Sequence, residues 1–460
     1  MSAAEHGRVR TVLFLENREK TALWAQVARR LRAQHHRVVW LVQNPAFVPR
    51  AEGCADELRC MPWPAIGARV DEAAALQRHP VLVRERGRLH FDAGCAHYDH
   101  YAAEIARALD DWRPDLVVGE CTLFHELLAI EACRARGIAF VHPCANRYPA
   151  GRFALFQGDT QLPAAGSGER WPADQLADLA ERIASNRELP FYMRRPGTAE
   201  RAWRRVQWAA TRGRVWWARL QGERYNTPSL ALKWRLSRGV KGLLLRWQAL
   251  ARRPSDPSTT LLYPLQLQPE ANIDVWGRPY SDQLALVQRL LAALPATHTL
   301  ALKANPKSKY ELSDALLALA AREPRLCLLP LDLPMPEAHR MSLGAVTVSG
   351  TVGLEAVFGK GRCLSLRHPV IEQLFPHCHA ESPEQAVERL LADPAAGLGR
   401  PGDGPRLLAE LIAHSFPGLV SDPLSHPACL EEDNIDRVAQ GLLAWLRTHE
   451  PAPSPDGPTP

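Results

Sequence analysis

The chain has no uncharged apolar run of about 18 residues, so no membrane-spanning helix is expected. Its opening residues, MSAAEHGRVR, lack the apolar core and cleavage site of a secretory signal and lead straight into a strand-like run. A cytoplasmic protein is the expectation. None of the ten cysteines stands in a CxxC pair. They are scattered at 54, 60, 95, 121, 133, 144, 327, 363, 378 and 429, several of them inside apolar patterns. That spread fits reduced, buried thiols and not a disulfide framework. His377-Cys378-His379 has no second ligand cluster at a useful spacing, so no metal is expected. Neither a Walker phosphate loop nor a GxGxxG turn is present. Any phosphate site must be built another way.

What is there is an ordinary globular composition, 46% hydrophobic and 23% charged, over 460 residues, enough for two or three domains. The first 150 residues alternate. RTVLFLEN (10–17), HRVVWLVQN (36–44), PDLVVGE (114–120) and IAFVHP (138–143) read as buried strands. Helical spacing fills 18–34, 98–112 and 121–136. Apolar strands alternating with amphipathic helices predict a parallel sheet covered on both faces. Ligands in such sheets bind beyond the carboxyl ends of the strands. Glu16, Asn17, Gln43, Asn44, Glu120, His142 and Asn146 stand there. Five of the seven are neutral polar or His, which suits a sugar or nucleotide; each also fits plain helix capping.

A second alternating unit begins near Thr259. TTLLYPLQLQ (259–268), THTLALKANP (297–306), RLCLLPL (325–331), AVTVS (345–349) and RCLSL (362–366) read as strands. Helices are expected over 281–294, 311–322 and 353–358. Within it TVSGTVGLEAVFGKG (347–361) puts two glycines and two hydroxyls at a strand-to-helix corner, with Glu355 one turn inside the helix. Glycine there could serve a positive φ, or could let a phosphate approach the backbone at a helix N-terminus. Two further polar stretches fall at strand ends: PLQLQPEANID (264–274), with Gln266, Gln268, Glu270, Asn272 and Asp274, and LKANPKSKY (302–310), with Lys303, Asn305 and Lys307. Amides for a base or sugar, cations and hydroxyls for phosphate, and a Glu for ribose make an inventory for a sugar nucleotide.

Between the units the composition changes. From 194 to 253 there are fourteen Arg and two Lys against Glu200 and Glu223, a local charge of +14 in a protein whose total is +6. Tryptophans 203, 208, 216, 217, 234 and 247 are interleaved on helical patterns. Arg and Trp on helices predict binding at an anionic membrane surface. An inter-domain bundle with snorkelling Arg and core Trp is the plainer reading, and nucleic acid is not the expected partner. The last residues, EPAPSPDGPTP, are Pro-rich and expected to be disordered.

The order YPLQLQPEANID, LALKANP, VTVSGTVGLEAVFGKG resembles the capsule polysaccharide biosynthesis family of GT-B glycosyltransferases. That family shows a PLQ/PLH stretch with a downstream acid, a strand ending in His-Pro and a Gly-Thr-x-Gly-x-Glu-Ala turn. Here Pro264-Leu265-Gln266, Glu270 or Asp274, Asn305-Pro306 and Gly350 to Ala356 correspond. NRYPAGRFALFQGD (146–159) is similar to the family's loop after a strand, and an Arg-rich helical middle is a shared feature. The likeness is firm over 260–370 and looser over 1–160. Asn305 departs from the family's His: it can donate hydrogen bonds but cannot carry charge.

The resemblance implies a GT-B-like α/β fold, two Rossmann-like doubly wound domains facing a cleft with the basic helices between them. The expected boundaries are 1–165 for the acceptor side, 166–256 for the basic segment, 257–448 for the nucleotide-sugar domain with closing helices, and 449–460 for the tail. It implies transfer of a sugar, Kdo being one that the family moves, from a nucleotide sugar such as a CMP-linked donor to a lipid-linked or glycan acceptor at the inner membrane face. No cofactor is implied. Gln268, Glu270, Lys303, Asn305, Ser349, Gly350, Thr351, Gly353 and Glu355 are the expected donor-binding residues, and Glu120 and Glu16 the candidate catalytic carboxylates. A capsule assembly scaffold without turnover and a sugar-nucleotide epimerase are the alternatives. Glu355→Ala is expected to weaken nucleotide binding strongly with the fold intact; unchanged affinity in a titration would remove Glu355 from the site.

Overall fold

The computed structural model describes residues 9–64, 70–90, 94–190, 198–305, 307 and 310–449, with side chains throughout except those of 198–203. β1 (Thr11–Leu15), β2 (Arg37–Val42), β3 (Glu57–Cys60), β4 (Leu116–Val118) and β5 (Ala139–Ala145) are parallel. β6 (Arg152–Gln157) turns back beside β5, and β7 (Pro163–Ala165) pairs with β6. A second sheet follows, all parallel: β8 (Thr260–Pro264), β9 (Thr299–Lys303), β10 (Leu326–Leu328), β11 (Gly344–Thr347) and β12 (Cys363–Ser365). β13 (Phe416–Pro417) then joins the first sheet, antiparallel to β6.

The central strands are apolar at consecutive positions because helices cover both faces. Val12, Leu13 and Phe14 of β1 and Val38 to Val42 of β2 are each 0% exposed. Phe14 stacks on Trp40 at 5.1 Å between ring centres. In space the parallel strands run β3-β2-β1-β4-β5 in one sheet and β10-β9-β8-β11-β12 in the other. Both orders are the same. The chain builds outward from the first strand, returns, and builds the other way. Each unit is therefore a Rossmann-like, doubly wound α/β fold. The reversal points lie between β1 and β4 and between β8 and β11. Crossover helices leave to opposite faces there, which opens a crevice at the carboxyl ends.

The compact units are Met1–Arg170 with Pro190–Pro228 and Leu411–Pro460, and Trp171–Leu189 with Ser229–Glu410. This division differs from the expected boundaries. The stretch 166–256 is not a segment of its own. The Thr198–Gln221 helix packs Val215 and Ala218 on Ala46 and Phe47 of the first unit. The Leu230–Leu250 helix sends Trp247, 0% exposed, into the second core, where its indole N–H donates to Leu329 O at 2.9 Å. The expected closing helices divide too: the Glu432–Thr448 helix buries Val438, Leu442 and Leu446 with Val12, Leu23 and Val27 in the first core. Arg194, Arg195 and the tail after His449 lie outside the described residues.

All ten cysteines are free thiols, eight of them buried. Among the described residues no helix is long and apolar enough to cross a membrane. Leu442→Ala should cost the first unit about 2–5 kcal/mol, the usual loss for truncating a packed leucine. Calorimetry is expected to show that unit's transition falling while the second unit's holds; a melt unchanged in both would place the C-terminal helix outside the core.

Candidate functional site

The first reversal point carries a group of charged side chains. Glu16-Asn17 follow β1, and a single turn, Arg18–Lys20, comes next. β4 ends just before Gly119-Glu120. The Lys20 ammonium donates to the Glu120 carboxylate, and the two side chains are 27% and 17% exposed. Behind them is Glu126, 0% exposed, in the first turn of the Phe124–Arg136 helix. Its Oε2 folds back over the helix start and accepts from Thr122 N at 2.9 Å and Leu123 N at 2.8 Å. Its Oε1 accepts from Asn17 Nδ2 at 3.0 Å.

The environment splits these two carboxyl groups. Burial, then the neighbouring Glu120 charge, pushes Glu126 up to about 7. Burial acts against Glu120 as well, but the Lys20 ammonium outweighs it and holds Glu120 below its ordinary value. Lys20 is held above its ordinary value by the same pairing, against its own burial. His142 on β5 is pushed down to about 4 by burial. One carboxylate stays ionised beside a cation and a second can hold a proton near neutrality, a division of roles that suits acid–base chemistry.

Glu16, the other expected catalytic carboxylate, is enclosed by backbone donors. It is 1% exposed. Its Oε1 accepts from Arg18 N at 2.7 Å and its Oε2 from Asn44 N at 3.1 Å. A carboxylate so used shapes the turns after β1 and β2. Gln43 and Asn44 are likewise covered, by the stretch 222–228 that leaves the Thr198–Gln221 helix. Glu223, 0% exposed, accepts from Asn44 Nδ2 at 3.2 Å, Tyr225 N at 2.9 Å and Asn226 N at 2.8 Å. Asn226 Nδ2 donates to Gln43 Oε1 at 2.7 Å and lies 3.1 Å from His125 Nδ1. His125 Nε2 lies 3.1 Å from Glu16 O. Burial lowers the His125 pKa, and a neutral ring with its proton on Nε2 satisfies both contacts. Asn146 Nδ2 donates to Leu411 O at 3.4 Å.

In the second unit the reversal point is bridged by Gln266. In the orientation that satisfies both ends of its amide, its oxygen accepts from Val348 N at 2.9 Å and Ser349 N at 3.0 Å. Ser349, 1% exposed, donates to Asn272 O at 2.5 Å and so ties β11 to the loop after β8. Gln268 is enclosed: its Nε2 donates to Asp274 Oδ1 at 2.7 Å and Ser281 O at 3.0 Å, and its Oε1 accepts from Gln283 Nε2 at 3.0 Å. Glu270 is exposed and accepts from Asn272 Nδ2 at 3.3 Å. Lys303, expected to meet a phosphate, is 5% exposed and donates to Ala304 O at 3.1 Å and Leu331 O at 2.9 Å. Its ammonium holds two loops together. Asn305 Oδ1 accepts from Lys307 N at 2.9 Å, and Pro306 lies outside the described residues.

The glycines of the corner have a spatial cause. Gly350 has φ −68° and ψ 156°, extended backbone open to any residue. A Cβ there would stand 2.6 Å from Thr347 Oγ1, and one at Gly353 3.2 Å from Ser365 Cβ. The Thr351–Val357 helix is thus pressed close to its sheet. It has only seven residues. Thr351 opens it, half-buried, and Glu355 pairs with Lys360 Nζ at 3.2 Å. Gln266, Ser349 and Gly350 come together; Gln268, Lys303 and Glu355 belong to three separate contacts.

Sequence reasoning missed Lys20, Glu126 and Glu223. Nothing marks Lys20 in the sequence. Glu126 carried a signal, a Glu three residues past the helix cap. Glu223 did too, as one of only two acids in a stretch of sixteen bases. Among the described residues no group of three His, Cys, Asp or Glu could hold a metal; His377 Nε2 instead lies 2.7 Å from Asp403 Oδ2.

No known family matches the chain, and no curated protein does. Among solved structures it is similar to the UDP-GlcNAc 2-epimerase of Methanocaldococcus jannaschii in complex with UDP-GlcNAc and UDP. That match has 13% identity over 87% of this chain and 99% of that one, with a TM-score of 0.27. It is also similar to CalG4, the calicheamicin glycosyltransferase, at 15% identity over 96% and 100% of the two chains, TM-score 0.26. A third is the Streptomyces sp. SF2575 glycosyltransferase SsfS6 with thymidine diphosphate, at 14% identity over 87% and 95%, TM-score 0.24. Likeness at this level is no guide to chemistry, and the fold stands on the strand orders themselves.

The raised Glu126 gives a pH signature. The unfolded chain loses this proton from about pH 4.5 upward while the folded protein keeps it to about 7. Its contribution to stability is therefore full below pH 4.5 and is lost as pH rises through that window. Glu126→Gln should shrink the fall in melting temperature between pH 5 and pH 7; an unchanged pH dependence would show that Glu126 is already ionised at pH 5.

Proposed function

We propose that the chain is a sugar-nucleotide-dependent glycosyltransferase of the GT-B kind. The observation that carries this is the Lys20–Glu120 pair, partly open and backed by Glu126, at the reversal point of a doubly wound sheet. That is where such folds take their ligands. In this reading the second unit takes the nucleotide at its own reversal point, around Thr351, Asn305, Glu270 and Glu355, on loops fixed by Gln266 and Ser349. The first unit takes the acceptor. Glu120 receives the proton of the acceptor hydroxyl; the acceptor oxygen bonds to the anomeric carbon; the bond from that carbon to the phosphate oxygen breaks, and the nucleotide leaves with the electron pair. Held low by Lys20, Glu120 is a weak base at rest. An acceptor anion that draws Lys20 away raises its basicity toward what the step needs.

The motif order over 264–356 supports a capsule or surface polysaccharide role, with Kdo from a CMP-linked donor and a lipid-linked or glycan acceptor at the cytoplasmic face of the inner membrane. The basic, Trp-bearing helices support a place at an anionic membrane surface. A second reading, an assembly scaffold without turnover, is favoured by Lys303, whose ammonium is engaged by two carbonyls, and by Asn305 in place of the family's His. An epimerase would interconvert free sugar nucleotides with no acceptor.

The test is a thermal-shift screen against CMP, CDP, UDP, GDP and their sugar conjugates, followed by transfer assays. One nucleotide is expected to raise the melting temperature. Glu120→Gln should keep that shift and lower transfer by about a hundredfold or more. A shift with no transfer to any acceptor would favour the scaffold.

A further inference from the structure

Over its described side chains, 204–221, the Thr198–Gln221 helix is held by one narrow seam. Thr211, Val215 and Ala218 are 4%, 8% and 2% exposed, and the last two pack on Ala46 and Phe47. Its opposite side is apolar as well, and it faces water. Val206 is 60% exposed, Trp217 63%, Leu220 61% and Trp216 42%. At the helical rotation per residue, Val206, Gly213, Trp217 and Leu220 fall within about 60° of one direction, opposite the seam, with Trp216 on its flank. Arg205, Arg212 and Arg219 recur every seventh residue and so form a row along that same flank. The Arg212 guanidinium lies over the Trp208 ring at 5.0 Å. No acidic residue stands between 201 and 222.

The charge selects the occupant. A second copy of the helix would set Arg rows against Arg rows. An anionic headgroup layer complements them, and Trp rings favour that depth. We propose that this helix lies in the plane of an anionic lipid bilayer. Val206, Trp216, Trp217 and Leu220 enter the boundary between headgroups and acyl chains, and Arg205 and Arg212 rest on lipid phosphates, while Arg219 is half-buried and donates to Thr227 O at 2.5 Å. The stripe from 206 to 220 is about 21 Å long, enough for a shallow seat and too short to span. The proposal deepens the membrane part of the reading above, yet its test needs no nucleotide, so either can fail alone.

The experiment is sedimentation of the full chain with vesicles of phosphatidylcholine alone or mixed with phosphatidylglycerol, with tryptophan emission read alongside. Binding is expected only with the anionic lipid, with a blue shift. The triple variant Trp216→Ala, Trp217→Ala, Leu220→Ala should bind about tenfold or more weakly while melting as the parent does, since these side chains are exposed. Arg205→Gln and Arg212→Gln together should weaken binding by about fivefold per residue and flatten its salt dependence. No binding to anionic vesicles, or equal binding by the triple apolar variant, would overturn the proposal. So would a concentration-dependent dimer that the same variant dissolves, because the face would then belong to a second copy.

Discussion

A carboxylate with no water around it must be supplied with donors, and Glu223 sets that demand at the upper end of the first sheet. Asn44, Tyr225 and Asn226 meet it directly; Asn226 in turn binds Gln43 and approaches His125, and His125 reaches the backbone of Glu16. A buried network of this kind is stable only when every member is paired. The consequence is spatial. The β1–β2 side of the crevice is filled by the chain's own polar groups. The Lys20–Glu120 pair on the β1–β4 side keeps a water-facing edge. Protein structure has thus narrowed a wide polar rim to a water-facing corner at this pair.

The second sheet treats its rim differently. Gln266, Ser349, Gln268 and Lys303 are engaged with backbone or buried side chains, so they fix loops in place. The close approach of the Thr351–Val357 helix, which leaves no room for a Cβ at Gly350, serves the same end. Groups nearer to water, Glu270 and Thr351 among them, sit on that fixed frame. A rigid frame under a few accessible polar groups is how a small-molecule site is kept in register.

Much of this was legible in the sequence. Alternating apolar strands and helices foretold both parallel sheets, because strands buried on two faces leave an unbroken apolar signature. The partition of the chain was not legible. The apolar stripe of the Glu432–Thr448 helix says that it packs on something, but the same stripe would fit either sheet. Glu120 and Glu16 looked alike, each an acid at a strand end. Their fates differ because backbone N–H groups point at Glu16 and an ammonium at Glu120, and such convergence comes from turns that sequence patterns do not specify. At the corner, the contact that crowds a Cβ at Gly350 is Thr347 Oγ1, three residues back on the strand, and at Gly353 it is Ser365 Cβ on the next strand, neither of which the sequence pattern specifies.

The division of the chain between units has a bearing on synthesis. The first unit begins at the N-terminus but recruits Pro190–Pro228 and then Leu411–Pro460, whereas the second is complete at Glu410. On the ribosome, the unit that starts first must finish last. Until the Glu432–Thr448 helix emerges, the apolar side of the Thr21–Ala33 helix, with Leu23 and Val27, has no cover from that partner. A nascent chain stalled before that point would expose this surface, and the wait for the Glu432–Thr448 helix is the interval in which a chaperone has something to hold.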